Sequence, residues 1–237
     1  MSSHGARHLL QSLLTALSLL AAALAVSPAV PAGETAVVLP APADDNPRQP
    51  GRFQTAVLAG GCFWGMQEVF EHVRGVREVL AGYSGGSRSK ANYQDVETGR
   101  TGHAESVQIT FDPAQLTYGE LLQIYFSVAH DPTELDAQGP DTGKQYRSVI
   151  FYADDTQRHI AESYIRQLTG GKAFVRPIVT QVDALRGFYR AEDYHQDYYL
   201  KNPQVPYIVY VDLPKVRDLK TLFPAYYTDS PASLGAR

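Results

Sequence analysis

The single cysteine of the chain, Cys62, is the side chain best suited to covalent chemistry. It stands in the motif Gly-Gly-Cys-Phe-Trp-Gly (residues 60–65), between a run of buried-strand character (54–59) and residues with helical spacing. The N–H groups that open a helix carry partial positive charge, which stabilises a thiolate relative to a thiol. We therefore predict a lowered Cys62 pKa and a nucleophilic thiolate, with the aromatic surfaces of Phe63 and Trp64 beside the sulfur. A small, buried, structural cysteine is the alternative that the motif leaves open.

A carboxyl group on a neighbouring predicted strand is a candidate partner for this sulfur. Glu105 lies near the start of residues 103–111, in which apolar and polar side chains alternate. Because Glu105 shares the parity of Val107 and Ile109, we expect its carboxyl group on the same face as these apolar side chains. A carboxylate at the end of a strand is more often exposed, so this position is unusual.

Two loops carry further proton donors and acceptors at the edges of predicted elements, where sites are commonly built. Tyr93 follows the second predicted strand, and Asp141 and Tyr146 lie where the chain enters a later one. Taken by residue type alone, the two tyrosines more often have packing roles and Asp141 a turn role, and these alternatives stay open. The histidines His103, His130 and His195 do not show the spacing of metal ligands. No metal site is therefore predicted.

The composition is that of a folded protein with an ordinary hydrophobic core. Hydrophobic residues make up 44% of the chain and charged residues 19%, which excludes a disordered polymer. The formal net charge is −4 and the basic residues are scattered, so no nucleic-acid partner is expected. One cysteine also excludes an internal disulfide bond.

The chain divides into three parts by composition. Residues 1–32 contain a weakly basic start, an apolar run and small-residue cleavage sites, and they are interpreted as a secretory signal peptide. An uncleaved membrane anchor is the alternative. Residues 33–51 are rich in proline, alanine and aspartate and are predicted to be a flexible lead-in. Residues 52–237 form one predicted catalytic domain in an exported, periplasmic protein.

Strand and helix signals alternate along this domain with short connections, which indicates an α+β fold. Thr117 and Glu120 have the spacing of a capping box, and Asp154 with Gln157 caps a helix that runs to about residue 168. Further strands are predicted at 76–83, 146–152 and 178–185. Residues 188–199 are predicted to be helical, and residues from about 200 to the end to be an extended tail around the domain.

An ordered set of motifs along residues 54–202 resembles the A-type peptide methionine sulfoxide reductases. The set comprises Gly-Cys-Phe-Trp-Gly (61–65), Gly-Tyr-Ser-Gly-Gly (82–86), Tyr93, Thr-Gly-His-Ala-Glu (101–105), Gln-Tyr-Arg-Ser (145–148) and Ala-Glu-Asp-Tyr-His-Gln (191–196). The resemblance implies a two-layer α+β sandwich of ferredoxin-like type. It also implies reduction of the S epimer of methionine sulfoxide, free or in proteins, and hence repair of oxidised proteins and peptides.

The resemblance assigns a role to each candidate residue. Cys62 is the nucleophile that becomes a sulfenic acid, and Glu105 protonates the sulfoxide oxygen, which requires a carboxylic acid that holds its proton near neutral pH. The resemblance also implies hydrogen bonds to that oxygen, direct or through water, from Tyr93, Tyr146 and Asp141. Phe63 and Trp64 are implied to enclose the substrate methyl group. No cofactor is implied beyond an external thiol, and a monomer is expected.

The chain departs from many members of this family in its C-terminal region. Relatives commonly carry additional cysteines there that resolve the sulfenic acid, whereas residues 200–237 contain none. A thioredoxin-like protein or a small thiol must therefore regenerate Cys62. Two other functions are kept as alternatives: an exported cysteine hydrolase that uses His103 or His195, and a non-enzymatic binding module with a structural cysteine.

Overall fold

A computed structural model describes residues 36–233, so the predicted signal peptide (residues 1–32) lies outside the described residues. The strands are β1 (Gln54–Ala59), β2 (Val76–Ser84), β3 (Ala104–Phe111), β4 (Ala137–Gln138), β5 (Asp141–Thr142), β6 (Val149–Tyr152), β7 (Gln181–Ala184) and β8 (Phe188–Arg190). The α-helices are α1 (Phe63–Glu71), α2 (Tyr93–Val96), α3 (Tyr118–Ile124), α4 (Asp155–Gly170), α5 (Tyr198–Lys201) and α6 (Leu213–Leu222). Across residues 36–233, no helix combines the length and the apolar character that crossing a membrane requires.

A mixed six-stranded sheet forms the centre of the domain. Its strand order is β7-β6-β1-β3-β2-β8, and only the β6–β7 pair is parallel. The central antiparallel pair brings Gln54 of β1 opposite Phe111 of β3 and Leu58 opposite Val107. Strand β4 pairs with β5 in a separate small hairpin. The predicted α+β class is confirmed by this arrangement.

The main hydrophobic core lies between one face of the sheet and helices α1, α3 and α4. Ala56 and Leu58 of β1 and Val107 and Ile109 of β3 share this core, which explains the alternation seen in the sequence. The intervening β1 residues, Val57 and Ala59, belong to a smaller cluster on the opposite face. Glu105 has the parity of Val107, so its carboxyl group enters the same side as the helices.

The predicted helix caps are present. The Thr117 hydroxyl accepts a hydrogen bond from the Glu120 N–H (3.1 Å), and the Glu120 carboxylate accepts one from the Thr117 N–H (2.8 Å). The Asp154 carboxylate accepts a hydrogen bond from the Gln157 N–H at 2.8 Å. Each such cap contributes about 1 kcal/mol to helix stability. The helix that follows Thr117 widens into a π-helical turn at Tyr125–Ala129.

Two expectations for the C-terminal third were wrong. The tyrosine-rich run forms strand β8, a single 3₁₀ turn (Asp193–His195) and the short helix α5 instead of one continuous helix. The predicted extended tail contains a π-helical turn (Ile208–Asp212) that continues into α6. Pro214 lies in the first turn of α6, where a missing N–H costs nothing, so the prolines did not exclude a helix. Helix α6 buries Val216 and Leu219.

The lead-in segment is bound to the domain over its described part, contrary to the predicted flexibility. The Leu39 side chain is buried in the main core. The Pro40 carbonyl accepts a hydrogen bond from the Tyr164 hydroxyl (2.8 Å), and the Ala43 N–H donates to the Gln167 side chain (2.8 Å). Arg48 forms an ion pair with Glu120. The folded domain therefore begins before residue 52, because helices α3 and α4 offer partners that composition cannot reveal.

Candidate active site

The turn between β1 and α1 places Cys62 at the start of a helix, as predicted. Gly61 has a φ of +91°, and a Cβ atom there would lie 2.5 Å from the Gln138 side chain. Only glycine suits this combination of a left-handed backbone and a close neighbour. Cys62 is the N-cap residue of α1, and it is half-buried.

A pocket opens directly at this cysteine. It encloses about 180 Å³, which accommodates a single side chain but is smaller than the usual site for a drug-sized ligand. All seven site residues predicted from the sequence line this pocket, together with Tyr207: Cys62, Phe63, Trp64, Tyr93, Glu105, Asp141, Tyr146 and Tyr207. The structure thus brings together residues that come from α1, α2, β3, β5 and the 3₁₀ turn before β6.

Glu105 contacts the start of helix α1 through its carboxyl group. Its side chain is only 3% exposed, and one carboxyl oxygen accepts a hydrogen bond from the Phe63 N–H at 3.1 Å. Burial raises the pKa of Glu105 to about 8, and the hydrogen bond from Phe63 opposes that rise without cancelling it. Glu105 therefore holds a proton at neutral pH and can donate it within the pocket.

The predicted lowering of the Cys62 pKa was wrong. Burial raises the pKa of the thiol well above its ordinary value, and the charges of Glu105 and Asp212 raise it further. The Trp64 N–H at the helix start lowers the pKa, as expected, but its effect is smaller. A single helix N–H does not compensate for the loss of water around a thiolate that also faces carboxyl groups.

The phenol groups of the pocket are neutral hydrogen-bond donors. Burial, followed by the charge of Glu105, raises the pKa of both Tyr93 and Tyr146. The Glu192 carboxylate accepts hydrogen bonds from the Tyr93 N–H (3.0 Å) and the Tyr83 hydroxyl (2.9 Å), and this fixes the position of Tyr93. Two phenols can therefore face an oxygen atom bound in the pocket.

Tyr207 is the pocket residue that the sequence analysis missed. Its hydroxyl donates a hydrogen bond to the Asp141 carboxyl group. Burial raises the pKa of Asp141, and the bond from Tyr207 opposes this rise. No pattern in the sequence marked Tyr207, because it lies among prolines beyond the last motif of the resemblance. Its role depends on the return of the C-terminal segment to the pocket.

The aromatic wall of the pocket is held by rings from α5 and the preceding turn. Trp64 stacks on Tyr198 with ring centroids 3.8 Å apart and an angle of 7° between the planes. The indole N–H of Trp64 donates to His195 Nδ1 at 3.1 Å. Phe63 packs against the same imidazole, with centroids 5.0 Å apart. The wall is therefore rigid enough to receive a small apolar group.

The two histidines considered for a hydrolase bond to groups other than Cys62. His103 Nδ1 accepts a hydrogen bond from the Gly86 N–H (3.2 Å), and its Nε2 lies 2.9 Å from the Ser87 carbonyl oxygen. His195 Nδ1 accepts from Trp64. Among residues 36–233, neither imidazole forms a hydrogen bond with Cys62, so the thiol–imidazole pair of a cysteine hydrolase is not assembled.

Comparisons with known proteins agree with this geometry. The family model described as "Peptide methionine sulfoxide reductase" matches residues 54–225. The chain belongs to the peptide methionine sulfoxide reductase family. A relative from Mesorhizobium japonicum, "Peptide methionine sulfoxide reductase MsrA 2", is 58% identical over 187 residues, which cover 79% of this chain and 95% of that protein. A relative of the same name from Synechocystis sp. is 53% identical over 167 residues, or 70% of this chain and 78% of that protein.

Solved structures of this reductase family share the fold. The chain is similar to methionine sulfoxide reductase A of Corynebacterium diphtheriae, with 35% identity, a TM-score of 0.55, and coverage of 71% of this chain and 89% of that chain. It is also similar to Mxr1 from Saccharomyces cerevisiae in reduced form, with 33% identity and a TM-score of 0.59. That match covers 66% of this chain and 89% of the Mxr1 chain. The membership inferred from the ordered motifs is thus confirmed.

Proposed function

We propose that this protein reduces the S epimer of methionine sulfoxide, free or in proteins, to methionine, and thereby repairs oxidised proteins. The observation that carries the proposal is the protonated, buried Glu105 in the same small pocket as Cys62. A sulfoxide oxygen leaves sulfur only when it is protonated, and a neutral carboxylic acid supplies that proton. The choice of epimer rests on membership in the family.

The aromatic wall and the phenols bind the two ends of the sulfoxide group. Phe63 and Trp64 contact the substrate methyl group, because sulfur-bound methyl groups pack favourably on aromatic rings. Tyr93 and Tyr146 donate hydrogen bonds to the oxygen, and the Tyr207–Asp141 pair supports them. The sulfoxide sulfur then faces Cys62.

Oxygen transfer to the enzyme is the first chemical step. Cys62 sulfur attacks the sulfoxide sulfur as Glu105 donates its proton to the oxygen. The oxygen and its proton pass to Cys62, methionine leaves, and Cys62 becomes a sulfenic acid. The proton lost from the Cys62 thiol restores Glu105, so that atoms and protons balance over the step.

Regeneration needs an external thiol, because the chain holds no second cysteine. The thiolate of a thioredoxin-like protein or a small thiol attacks the sulfenic sulfur, releases water and forms a mixed disulfide with Cys62. A second external thiol attacks this disulfide and returns Cys62 to the reduced state. The two external thiols are thereby oxidised to a disulfide, and the two electrons they lose reduce one methionine sulfoxide to methionine.

The finer fold assignment and the location are also part of this proposal. We infer a ferredoxin-like core of two layers, which is supported by the chain order β1-α1-β2-β3-α3-β6 and the sheet order β6-β1-β3-β2. Export to the periplasm is supported by the apolar run and cleavage sites of residues 1–32. An oxidising compartment would also expose methionine side chains to the damage that this activity reverses.

Turnover of resolved epimers tests the proposed function. We expect the protein to reduce the S sulfoxide of an N-acetylated methionine with dithiothreitol, to leave the R sulfoxide unchanged, and to lose all activity as Cys62→Ser. Reduction of both epimers would contradict the stereochemistry, and unaltered turnover by the serine variant would contradict the mechanism. Thioester hydrolysis without sulfoxide reduction would favour the hydrolase.

A further inference from the structure

An arginine beside the pocket bridges the two chain segments that carry the acid and one of the phenols. Arg147 belongs to the motif Gln-Tyr-Arg-Ser (145–148), of which Tyr146 alone lines the pocket. Arg147 follows the 3₁₀ turn Lys144–Tyr146 directly, and its side chain is half-buried. The chemistry proposed above gives this arginine no part, so its hydrogen bonds have to explain its place in the motif.

The guanidinium group of Arg147 donates to backbone carbonyl groups of both segments. Its Nη1 atom donates to the Lys144 carbonyl oxygen (2.8 Å) and to the His103 carbonyl oxygen (3.2 Å). Its Nη2 atom donates to the Gly102 carbonyl oxygen (3.0 Å). One nitrogen atom thus joins the residue that opens the 3₁₀ turn to the residue that precedes β3. Because a guanidinium holds its N–H groups in a rigid planar fork, these bonds also fix the orientation of the two segments.

The bonded carbonyl groups lie close in the chain to groups that react. His103 is two residues before Glu105, and Lys144 is two residues before Tyr146. Strand β3, which carries Glu105, does not pair with β6, which follows Arg147, because β1 lies between them in the sheet. The sheet therefore does not join the two segments directly, and the guanidinium of Arg147 does.

The surroundings of the guanidinium suit a hydrogen-bond donor. Gly85, just after β2, has a φ of +98°, and a Cβ atom there would lie 3.1 Å from Arg147 Nη2 and 2.9 Å from the Gly102 carbonyl oxygen. A side chain at position 85 would therefore crowd the bond between these two groups. The Nε atom of Arg147 donates to Gln181 Oε1 at 3.3 Å. These bonds all end on neutral oxygen atoms, so Arg147 acts here through the geometry of its donors.

We propose that Arg147 is a positioning residue that fixes the Glu105 carboxyl group relative to the Tyr146 hydroxyl group by joining the start of β3 to the 3₁₀ turn. The inference rests on the proposed function, in which Glu105 protonates the oxygen that Tyr146 holds. Proton transfer requires the acid within hydrogen-bond reach of that oxygen. A displacement of about 1 Å can slow such a step about 100-fold. The contribution of Arg147 therefore belongs to the chemical step and not to substrate binding.

Single-turnover reduction of the S sulfoxide by Arg147→Gln tests this role. Enzyme in excess over substrate is varied in concentration, which gives the maximal rate constant and the half-saturating concentration separately. We expect the maximal rate constant to fall roughly 10- to 100-fold, because the acid and the phenol lose their common support. The half-saturating concentration should change less than about threefold, since Phe63 and Trp64 still hold the methyl group.

The same substitution in the Glu105→Gln protein separates positioning of the acid from general support of the pocket. If Arg147 acts by placing the proton of Glu105, its replacement should slow the Glu105→Gln protein less than about threefold, because that proton is already absent. An equal loss in both backgrounds would show that Arg147 supports the pocket as a whole, and it would overturn the proposal. A native maximal rate constant in Arg147→Gln would overturn it as well.

Two further variants complete the experiment. Arg74→Gln is the matched control, because Arg74 Nε also donates to a backbone carbonyl, that of Tyr227 (2.7 Å), but Arg74 does not line the pocket. It should keep the native rate constant. Arg147→Lys covers the case in which Arg147→Gln does not fold, since it keeps the charge and loses the planar fork. We expect it to be roughly tenfold slower than the native protein, with the same attenuation in the Glu105→Gln background.

A native rate constant in Arg147→Lys would show that a positive charge suffices, and it would refute positioning by the fork. Failure of the inference and failure of the proposed function differ in the native protein. An active native protein whose Arg147 variants are equally active refutes the inference alone. A native protein that leaves the S sulfoxide unreduced refutes the proposed function, and the inference with it.

Discussion

Replacement of the buried acid by its amide, Glu105→Gln, should slow the chemical step by roughly two to four orders of magnitude, the usual contribution of a general acid. This loss corresponds to roughly 2.7 to 5.5 kcal/mol of transition-state stabilisation. The glutamine carbonyl can still accept the hydrogen bond from the Phe63 N–H that the carboxyl group accepts at 3.1 Å. The variant therefore removes the proton and keeps the geometry.

The pKa of Glu105 determines how the single-turnover rate of the native protein depends on pH. With a pKa of about 8, Glu105 is protonated in about nine of ten native molecules at pH 7 and in about one of ten at pH 9. Because the protonated form is the active one, the native single-turnover rate should be highest below pH 7 and fall as pH rises through about 8. The glutamine variant should lack this decline. Because the pKa of Glu105 is raised in the folded protein, the contribution of Glu105 to the free energy of unfolding also decreases as pH rises toward 8.

The assay is single-turnover release of methionine from excess enzyme in a quench-flow experiment, which isolates chemistry from regeneration by thiol. Glu68→Gln is the matched control, since Glu68 is equally buried and has a similar raised pKa but does not line the pocket. It should react at close to the native rate. A Glu105→Gln protein that also reacts at nearly the native rate, with the native decline above pH 8, would refute the reasoning.

Three further predictions concern the phenols, regeneration and export. Tyr93→Phe and Tyr146→Phe should each lower the logarithm of the single-turnover rate by less than half of the decrease seen in the double variant. Additive decreases would show that the two phenols serve different atoms. Without reductant, one methionine should be released per active site, leaving a protein that reacts with dimedone at Cys62; a burst above one equivalent would reveal another electron source. In its natural host, the mature N-terminus should fall between Ala25 and Ala32, and Edman sequencing that finds residue 1 or 2 would favour an uncleaved anchor.

Local patterns in the sequence determined the elements that carry the nucleophile and the acid. The run from 54 to 59 became β1, and Cys62 became the N-cap of α1, because strand propensity, two glycines and helical spacing act over a few residues. The capping box at Thr117 and the cap at Asp154 depend only on side chains three positions from their partners. The parity of Glu105 on β3 was equally local, and it correctly predicted a buried carboxyl group.

The order of the motifs also predicted which residues belong to the pocket, but it did so through resemblance and not through spacing. Tyr93 opens α2, Asp141 lies in β5 and Tyr146 ends the 3₁₀ turn before β6, and no periodicity brings them to Cys62. The sheet order and the β4–β5 hairpin place them there. Their convergence is a property of the tertiary fold, which the ordered set of motifs signals only because relatives share that fold.

Only the tertiary structure decided the electrostatics of the sulfur. The helix start predicted a more acidic thiol, whereas burial and the charges of Glu105 and Asp212 produce the opposite effect. Tyr207 lines the pocket and Asp212 lies against Gly65 of α1 because the C-terminal segment folds back and α6 packs on α1, an interaction between residues far apart in the chain. Desolvation and charge depend on distance in space, and a sequence specifies those distances only once the chain has folded.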